Sequence, residues 1–291
     1  MKSKIISASA AFGCASVMYF AAVAAVCAAD APASCSSGAS GSALVESEID
    51  TLFKEASLKE TLEKFSLEAS IGFESEYVFR GRSVTGPSVN PAVNIGYDVG
   101  CGFALSAGYW GNYNAGDSAN PATETDFTFD IAYTVENFTV DFGYTAYTYP
   151  SGGNTNELKV GAAYDTSELL GDFNVSPYVA GYYDLTLSGK TIEGGLSYSA
   201  PITKWLFGST WGALDFAGYV GYTYGDISFD ADGNSMNDGY FYAGFSVGGT
   251  VAVTDYCSLS AGMRYAYCND YGPSGPTNSR VWFGTSLSFG F

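Results

Sequence analysis

The residues that could do chemistry in this chain are mainly carboxylates. The 291-residue sequence contains 30 Asp and Glu, 12 Lys and Arg, and no His. Without His, the Ser-His and Cys-His pairs of nucleophilic catalysis and imidazole metal ligands are excluded. Carboxylate pairs and Lys-assisted Ser remain, but no spacing in the sequence supports either as a hydrolase site. The sequence therefore predicts neither enzymatic activity nor a cofactor.

The acids occupy one parity of an alternating pattern, which shows what must position them. In Leu67–Gly81 the odd positions are mostly apolar, whereas Glu74, Glu76 and Arg80 stand at even positions. A period of two over this length predicts a β-strand with one apolar face and one charged face.

Similar segments, each about ten residues long, fill the rest of the chain. They are approximately Leu67–Arg80, Ser88–Val99, Gly102–Tyr113, Thr123–Thr134, Phe138–Tyr149, Glu157–Tyr164, Phe173–Leu185, Thr191–Ala200, Ala213–Tyr224, Gly239–Val247, Cys257–Tyr267 and Val281–Phe291. No helical pattern long enough for a crossover lies between them, so the strands should pair antiparallel. An even number of about twelve strands is typical of bacterial outer-membrane barrels.

The placement of charge decides which face meets lipid. No charged residue falls on the apolar parity of these segments, and only 14% of all residues are charged. Lys or Arg at the lipid-facing midplane costs about 2–4 kcal/mol, so lipid demands this exclusion. The alternative is a soluble β-sandwich, whose solvent face would carry Lys and Glu freely. The pattern favours an all-β, antiparallel transmembrane β-barrel over residues 66–291, with a wet interior.

The N-terminal part predicts export. Lys2 and Lys4 precede an apolar run that ends in small residues before Asp30, which is typical of a cleaved signal peptide over residues 1–29. A membrane anchor helix is the alternative. Residues 30–65 should form a flexible linker and a short amphipathic helix, about Leu44–Phe65, in the periplasm. That helix could plug a pore or pack on a partner, or it could simply be solvated.

Four cysteines remain after cleavage, namely Cys35, Cys101, Cys257 and Cys268. Export permits disulfides, but the spacings match no metal template and leave the pairing open.

The polar parity predicts a set of pore-lining charges, in which acids outnumber bases. The members are Glu74, Glu76, Arg80, Asp126, Asp130, Asp141, Glu157, Lys159, Glu193, Asp215 and Arg264, with Glu68, Asp98 and Glu124 on the same side. Such an excess in a narrow channel focuses a negative potential and favours cations. Alternatively, the acids pair with the bases or hydrate a filled interior. The net charge of -18 also argues against a nucleic-acid partner.

Specific roles can be predicted for two sites in the lumen. Asp130 and Asp141 flank the tight turn at Val135-Glu136, so hairpin counting places them nearly opposite, where they would share a proton or a cation. Arg80 should end the first strand near the outer rim. It would either bind a solute anion and set the constriction, or bridge acids such as Glu76 and hold the loop.

One polar loop has part of a calcium-binding pattern. Asp230, Asp232 and Asn234 have the spacing of the first three oxygen ligands, and Asp238 follows. The Gly is misplaced, and Phe241 stands where a bidentate Glu belongs, so a surface loop without metal is the favoured interpretation.

Several of these segments resemble a known family. Ser75–Gly81, followed by Pro91-Ala92-Val93, resembles the opening signature of the TorF family of porins. Similar patches follow at Gly108–Asn112, Glu124–Asp126, Tyr144–Pro150 and Asn156–Leu158. The likeness covers most of the chain after Ser66 and is most specific before Tyr164. It implies an outer-membrane barrel that passes solutes. Asp30–Phe65 is not part of the pattern.

The chain ends in Phe291, which looks like the terminal aromatic residue that the barrel-assembly machinery recognises. Together these observations predict a bacterial outer-membrane channel for passive diffusion of small hydrophilic solutes, with a preference for cations. The alternative is a non-conducting barrel with a structural or surface-interaction role.

Overall fold

The computed structural model describes residues 61–116, 122–171, 175–208, 211–229, 235–269 and 279–291. Its strands are β1 (Phe65–Glu74), β2 (Tyr77–Phe79), β3 (Arg82–Thr85), β4 (Ser88–Gly100), β5 (Phe103–Asn114), β6 (Ala122–Val135), β7 (Phe138–Thr148), β8 (Thr155–Tyr164), β9 (Val175–Asp184), β10 (Lys190–Ala200), β11 (Gly212–Phe229), β12 (Ser235–Thr254), β13 (Cys257–Cys268) and β14 (Ser279–Gly290). Two short helices join strands, α1 (Ser167–Leu170) and α2 (Ile202–Phe207).

All strands except β2 and β3 form one closed antiparallel barrel of twelve strands, as the sequence predicts. Each strand pairs with its neighbours in sequence order, and β1 pairs with both β4 and β14. At the closure, Leu67 and Phe291 exchange two backbone hydrogen bonds of 2.9 and 3.1 Å. Closure leaves no strand edge, which lipid requires because it cannot hydrogen-bond the backbone.

The barrel is polar inside and apolar outside. In β6, the side chains of Phe127, Phe129 and Ile131 are 53%, 47% and 40% exposed, whereas the intervening Asp126 and Asp130 are buried. A soluble sandwich would have the opposite arrangement. The alternation thus confirms the predicted barrel and argues against the soluble β-sandwich.

Both chain termini of the barrel lie at one end. The links β4–β5, β6–β7 and β12–β13 are tight turns at that end, and α1 and α2 lie in its two longer links. Trp205 and Trp211 in and after α2 are about half exposed, as aromatic residues of a membrane interface belt are. None of the helices in the described ranges is long and apolar enough to cross a bilayer.

The predicted first strand, Leu67–Arg80, is wrong in its second half. β1 ends at Glu74, and the chain then forms the separate two-stranded hairpin of β2 and β3. The hairpin turns at Arg80 and Gly81, where φ is 47° and 79°. Positive φ at both central residues is the requirement of a tight type I′ turn. Alternation continues through the turn in the sequence, so periodicity alone could not reveal it.

The N-terminal predictions fall mostly outside the described residues, including the signal peptide and most of the helix Leu44–Phe65. Residues 61–63 are helical, but Phe65 already belongs to β1, so the predicted helix is too long at its end. Cys35 also lies outside. Among the described cysteines, Cys101 is exposed, Cys257 is half-buried and Cys268 is buried, and none of the three forms a disulfide.

Candidate functional site

The β2–β3 hairpin folds into the barrel and touches several sides of its wall. The ring of Tyr77 lies 5.3 Å from that of Trp110 on β5. Val78 packs in a buried cluster with Ala266 on β13 and Trp282 on β14. Contacts with widely separated strands place the hairpin across the lumen, at the end opposite the termini.

The hairpin tip is held by a bidentate ion pair. Arg80 Nη1 and Nη2 donate hydrogen bonds of 2.9 Å to the two carboxylate oxygens of Glu157 on β8. The guanidinium carbon also lies 4.7 Å from the ring centroid of Tyr182 and 4.8 Å from that of Phe79. The Arg80 and Glu157 side chains are only 8% and 7% exposed. Arg80 is therefore not a rim residue at a strand end, as the sequence predicted, but is buried inside the lumen against the barrel wall.

Gly81 lets the tip approach the opposite wall closely. A Cβ added to Gly81 would lie 2.9 Å from the Cβ atoms of Tyr242 and Cys268 and from the carbonyl oxygen of Tyr267. With its positive φ, this position accepts glycine and strains other residues. The tip thus sits directly on β12 and β13.

Several carboxylates surround this ion pair. Tyr147 and Tyr149 donate their hydroxyl hydrogens to Glu157 at 3.1 Å and to Glu124 at 3.2 Å. Glu193 accepts hydrogen bonds of 2.8 Å from the hydroxyls of Tyr178 and Tyr242. The neutral hydroxyl donors stabilise the carboxylates where water is largely excluded.

Asp126 differs from its neighbours in this cluster. It is 2% exposed, and its Oδ1 atom has no hydrogen-bond partner among the described residues. Glu124 lies two residues away on the same face of β6, and Tyr147, the register partner of Asp126, donates a hydrogen bond to Glu157. The carboxylate oxygen of Asp126 can therefore accept an added cation.

A second cluster lies around Lys159 on β8. Its ammonium nitrogen is 2.7 Å from an Asp141 oxygen and 3.4 Å from Asp130 Oδ1. Asp130 pairs in register with Gly143, and Asp141 with Ala132. The two carboxylates are therefore diagonal neighbours rather than directly opposite, and the cation that lies between them is Lys159. A Cβ at Gly143 would collide with Asp130 Oδ1, so the glycine makes room for the carboxylate.

The other predicted lumen residues form separate contacts. Arg264 forms an ion pair with Glu74, and Arg280 pairs with Glu76 at 3.0 Å. Asp215 accepts hydrogen bonds from the hydroxyls of Ser199 at 2.7 Å and Thr250 at 2.6 Å. Near the terminal end, Glu68 is exposed and Asp98 accepts a hydrogen bond from the Gly100 backbone. None of the contacts named here includes Arg80 or Glu157.

Sequence reasoning missed the tyrosines of the lumen, chiefly Tyr147, Tyr182 and Tyr242. All three are buried, and two of them donate hydrogen bonds to the acids. Tyr147 and Asp141 both stand at odd positions of β7, so they lie on the same face of the strand. This alternation could have identified Tyr147 as a lumen residue.

The calcium-loop candidate lies outside the described residues at Asp230, Asp232 and Asn234, and the side chain of Asp238 does too. In the ranges that the structure describes, no group of three or more acidic or Cys side chains is arranged to hold a metal ion.

Comparisons with known proteins place this geometry in context. Residues 59–192 match the family model described as a bacterial protein of unknown function (Gcw_chp). No curated protein sequence matches the chain. Among solved structures, the COG4313 outer membrane channel from Pseudomonas putida F1 is 13% identical with a TM-score of 0.51, over 78% of this chain and 94% of that chain.

Two further solved structures have lower TM-scores. LpxR from Salmonella typhimurium is 9% identical with a TM-score of 0.48, over 77% of this chain and 99% of that chain. The NanC porin is 12% identical with a TM-score of 0.45, over 77% and 98%. The likeness to the Pseudomonas putida channel concerns the fold alone, and the chain has the fold of an outer-membrane β-barrel.

Proposed function

We propose that this protein is a porin-like channel of the bacterial outer membrane, through which small hydrophilic solutes diffuse passively with a preference for cations. The observation that carries the proposal is the barrel of twelve strands with lipid-compatible residues outside and buried polar side chains inside, whose charged members are mostly acidic. The polar groups of such a wall can take part in solvating a hydrophilic solute as it crosses the membrane.

The preference for cations is supported by charges that line the lumen. Glu124, Glu193 and Asp215 accept hydrogen bonds from Tyr or Ser hydroxyls rather than from a bidentate base. One oxygen of Asp126 has no hydrogen-bond partner among the described residues. Negative charge that is not cancelled by a neighbouring base attracts mobile cations in a low-dielectric channel. The proposed pore-lining set remains the one predicted from the sequence, with Arg80 on the hairpin that lies in the lumen.

The proposed orientation puts the chain termini in the periplasm. The tight turns lie at the terminal end, as periplasmic turns do in outer-membrane barrels. A signal peptide over residues 1–29 would bring the chain to the periplasm, and Phe291 would engage the assembly machinery. The resemblance to the TorF family agrees with this scheme. Catalysis is not part of the proposal, because the sequence has no His and no spacing that supports a carboxylate pair or a Lys-assisted Ser.

The test is electrical. Barrel protein refolded in detergent should produce discrete conductance steps in planar bilayers, and the reversal potential in a KCl gradient should have the sign of a cation-selective pore. Chain lacking residues 30–65 should be measured in parallel, since the predicted helix could act as a plug. A reversal potential with the sign of an anion-selective pore would contradict the proposed preference for cations.

A second function is favoured by one observation. The β2–β3 hairpin occupies the lumen, and its tip is fixed by the Arg80–Glu157 ion pair. A barrel that is permanently closed in this way would serve as a structural or surface-interaction protein. Absence of conductance in the wild type, together with conductance in a variant without the hairpin, would support that alternative.

A further inference from the structure

Arg80 occupies its site in the way that a bound guanidinium ligand would. Both of its terminal nitrogens donate to the two oxygens of Glu157, and the guanidinium lies over the ring of Tyr182. A planar fork facing a carboxylate, with an aromatic face alongside, is the arrangement by which proteins select guanidinium over a simple ammonium.

The binding groups belong to the barrel wall and not to the hairpin. Glu157 is on β8, Tyr182 is on β9, and Tyr147 on β7 orients Glu157 with a hydrogen bond of 3.1 Å. Adjacent strands of a closed barrel hold these three side chains in place. The pocket is thus preformed, and the hairpin supplies its occupant.

The surroundings favour a cation beyond what the ion pair alone requires. Asp126 is buried, pairs in register with Tyr147, and has an oxygen without a hydrogen-bond partner in the described part of the chain. Glu193 accepts a hydrogen bond from Tyr242, which lies beside Gly81 at the hairpin tip. A cationic solute arriving here would be attracted by several carboxylates together.

The hairpin can leave without opening the barrel. Its two ends join β1 and β4, and these strands are paired with each other up to Glu74 and Ser88. Withdrawal of Tyr77–Thr85 would therefore break contacts inside the lumen, while the hydrogen bonds between barrel strands persist.

We propose that the pocket of Glu157, Tyr147 and Tyr182 is a binding site for solutes that carry a guanidinium group, and that Arg80 is its tethered occupant. A solute of this class takes the place of Arg80 during passage, so the inference rests on the proposed channel function and names its substrate class.

The test uses calorimetric titration of the folded barrel in detergent with methylguanidinium chloride. Arg80→Ala empties the pocket, and Arg82→Ala is the matched control, because it removes the other arginine of the hairpin and leaves Arg80 seated. Arg80→Ala/Glu157→Gln removes the carboxylate as well. Methylammonium, with the same charge but no planar fork, is the control ligand.

Methylguanidinium should bind Arg80→Ala about tenfold more tightly than it binds the wild type, Arg82→Ala or the double variant. Methylammonium should bind Arg80→Ala about tenfold more weakly than methylguanidinium does. Equal binding to Arg80→Ala and to the double variant would overturn the site. Equal binding of the two ligands would overturn the guanidinium class.

If Arg80→Ala does not fold, the same titration is made on a chain in which Glu76–Pro87 is replaced by an Asn-Gly turn, which also empties the pocket. Calorimetry reports binding whether or not the barrel conducts. Binding without conductance in planar bilayers would leave the site in place and remove the channel function, whereas conductance without binding would do the reverse.

Discussion

Arg80 and Glu157 are 77 residues apart in the sequence and form two hydrogen bonds of 2.9 Å inside the barrel. One lies at the tip of a hairpin between β1 and β4, and the other on β8, across the lumen. Both side chains are almost completely buried. The pair fastens the tip of the hairpin to the barrel wall at β8.

The pair should show strong energetic coupling. Arg80→Ala leaves Glu157 buried without its base, which should lower the free energy of unfolding by about 3–5 kcal/mol. Arg80→Ala/Glu157→Gln should lose less than the sum of the two single variants, because the double variant leaves no uncompensated charge at this site. Urea unfolding in detergent micelles measures the free energy of unfolding of the wild type, the two single variants and the double variant. Additive losses would show that the two side chains do not interact.

Gly81→Ala should expel the hairpin tip from its seat. The added methyl would lie 2.9 Å from atoms of Tyr242, Tyr267 and Cys268, at a φ of +79°. The result should be larger single-channel conductance and faster labelling of the Cys268 thiol by a maleimide, in a background with the other cysteines changed to Ser.

Gly86→Ala is the control for that experiment, because a Cβ at Gly86 meets nothing within 4 Å and Gly86 lies in the same hairpin connection. It should leave conductance and labelling at wild-type values. Wild-type behaviour of Gly81→Ala would contradict the close packing of the tip.

Removing the charge of Lys159 should raise the preference for cations. The ammonium lies between Asp141 and Asp130, so Lys159→Gln leaves both carboxylates uncompensated in the lumen. The reversal potential in a KCl gradient should shift further toward the value for a pure cation channel. Lys190→Gln, at an exposed position, is the control and should have no effect. An equal shift in both variants would argue against a lumen role for Lys159.

A charged substitution on the outward face of the barrel should lower its stability. Val160 on β8 is 51% exposed on the apolar side of the barrel. Val160→Lys should destabilise the barrel by about 2–4 kcal/mol if this position lies near the bilayer midplane, because the ammonium would be placed in lipid. Refolding into lipid vesicles at graded urea concentrations measures the difference. Val160→Leu should be nearly neutral, and a neutral Val160→Lys would place this face in water.

Phe291 should matter more for assembly than for stability. Its ring stacks on Tyr256 with 5.8 Å between centroids, a contact worth about 1 kcal/mol. Phe291→Ala should reduce the fraction of barrel reaching the outer membrane several-fold, measured as the heat-modifiable band. Tyr256→Ala removes the same stacking but keeps the terminal aromatic residue. Equal assembly defects in the two variants would assign the effect to local packing.

Most of the barrel could be predicted because its physics is local. In β6 the change from apolar to polar at each residue fixes which face meets lipid, and the observed strand, Ala122–Val135, extends the predicted Thr123–Thr134 by one residue at each end. Asp130 and Asp141 were expected to face each other, and the register instead makes them diagonal neighbours. A tight turn limits the register of a hairpin but leaves it uncertain by a residue or two.

By itself, the sequence determined that this chain forms an antiparallel transmembrane barrel with its acids inside, since alternation and the exclusion of charge from one parity are properties of each strand alone. The tertiary structure decided the role of Arg80. Its segment alternates like a wall strand, yet it folds inward, because Gly81 allows a close turn and the barrel brings Glu157 and Tyr182 to meet the guanidinium. Contacts between distant strands depend on closure and register, which no local pattern encodes.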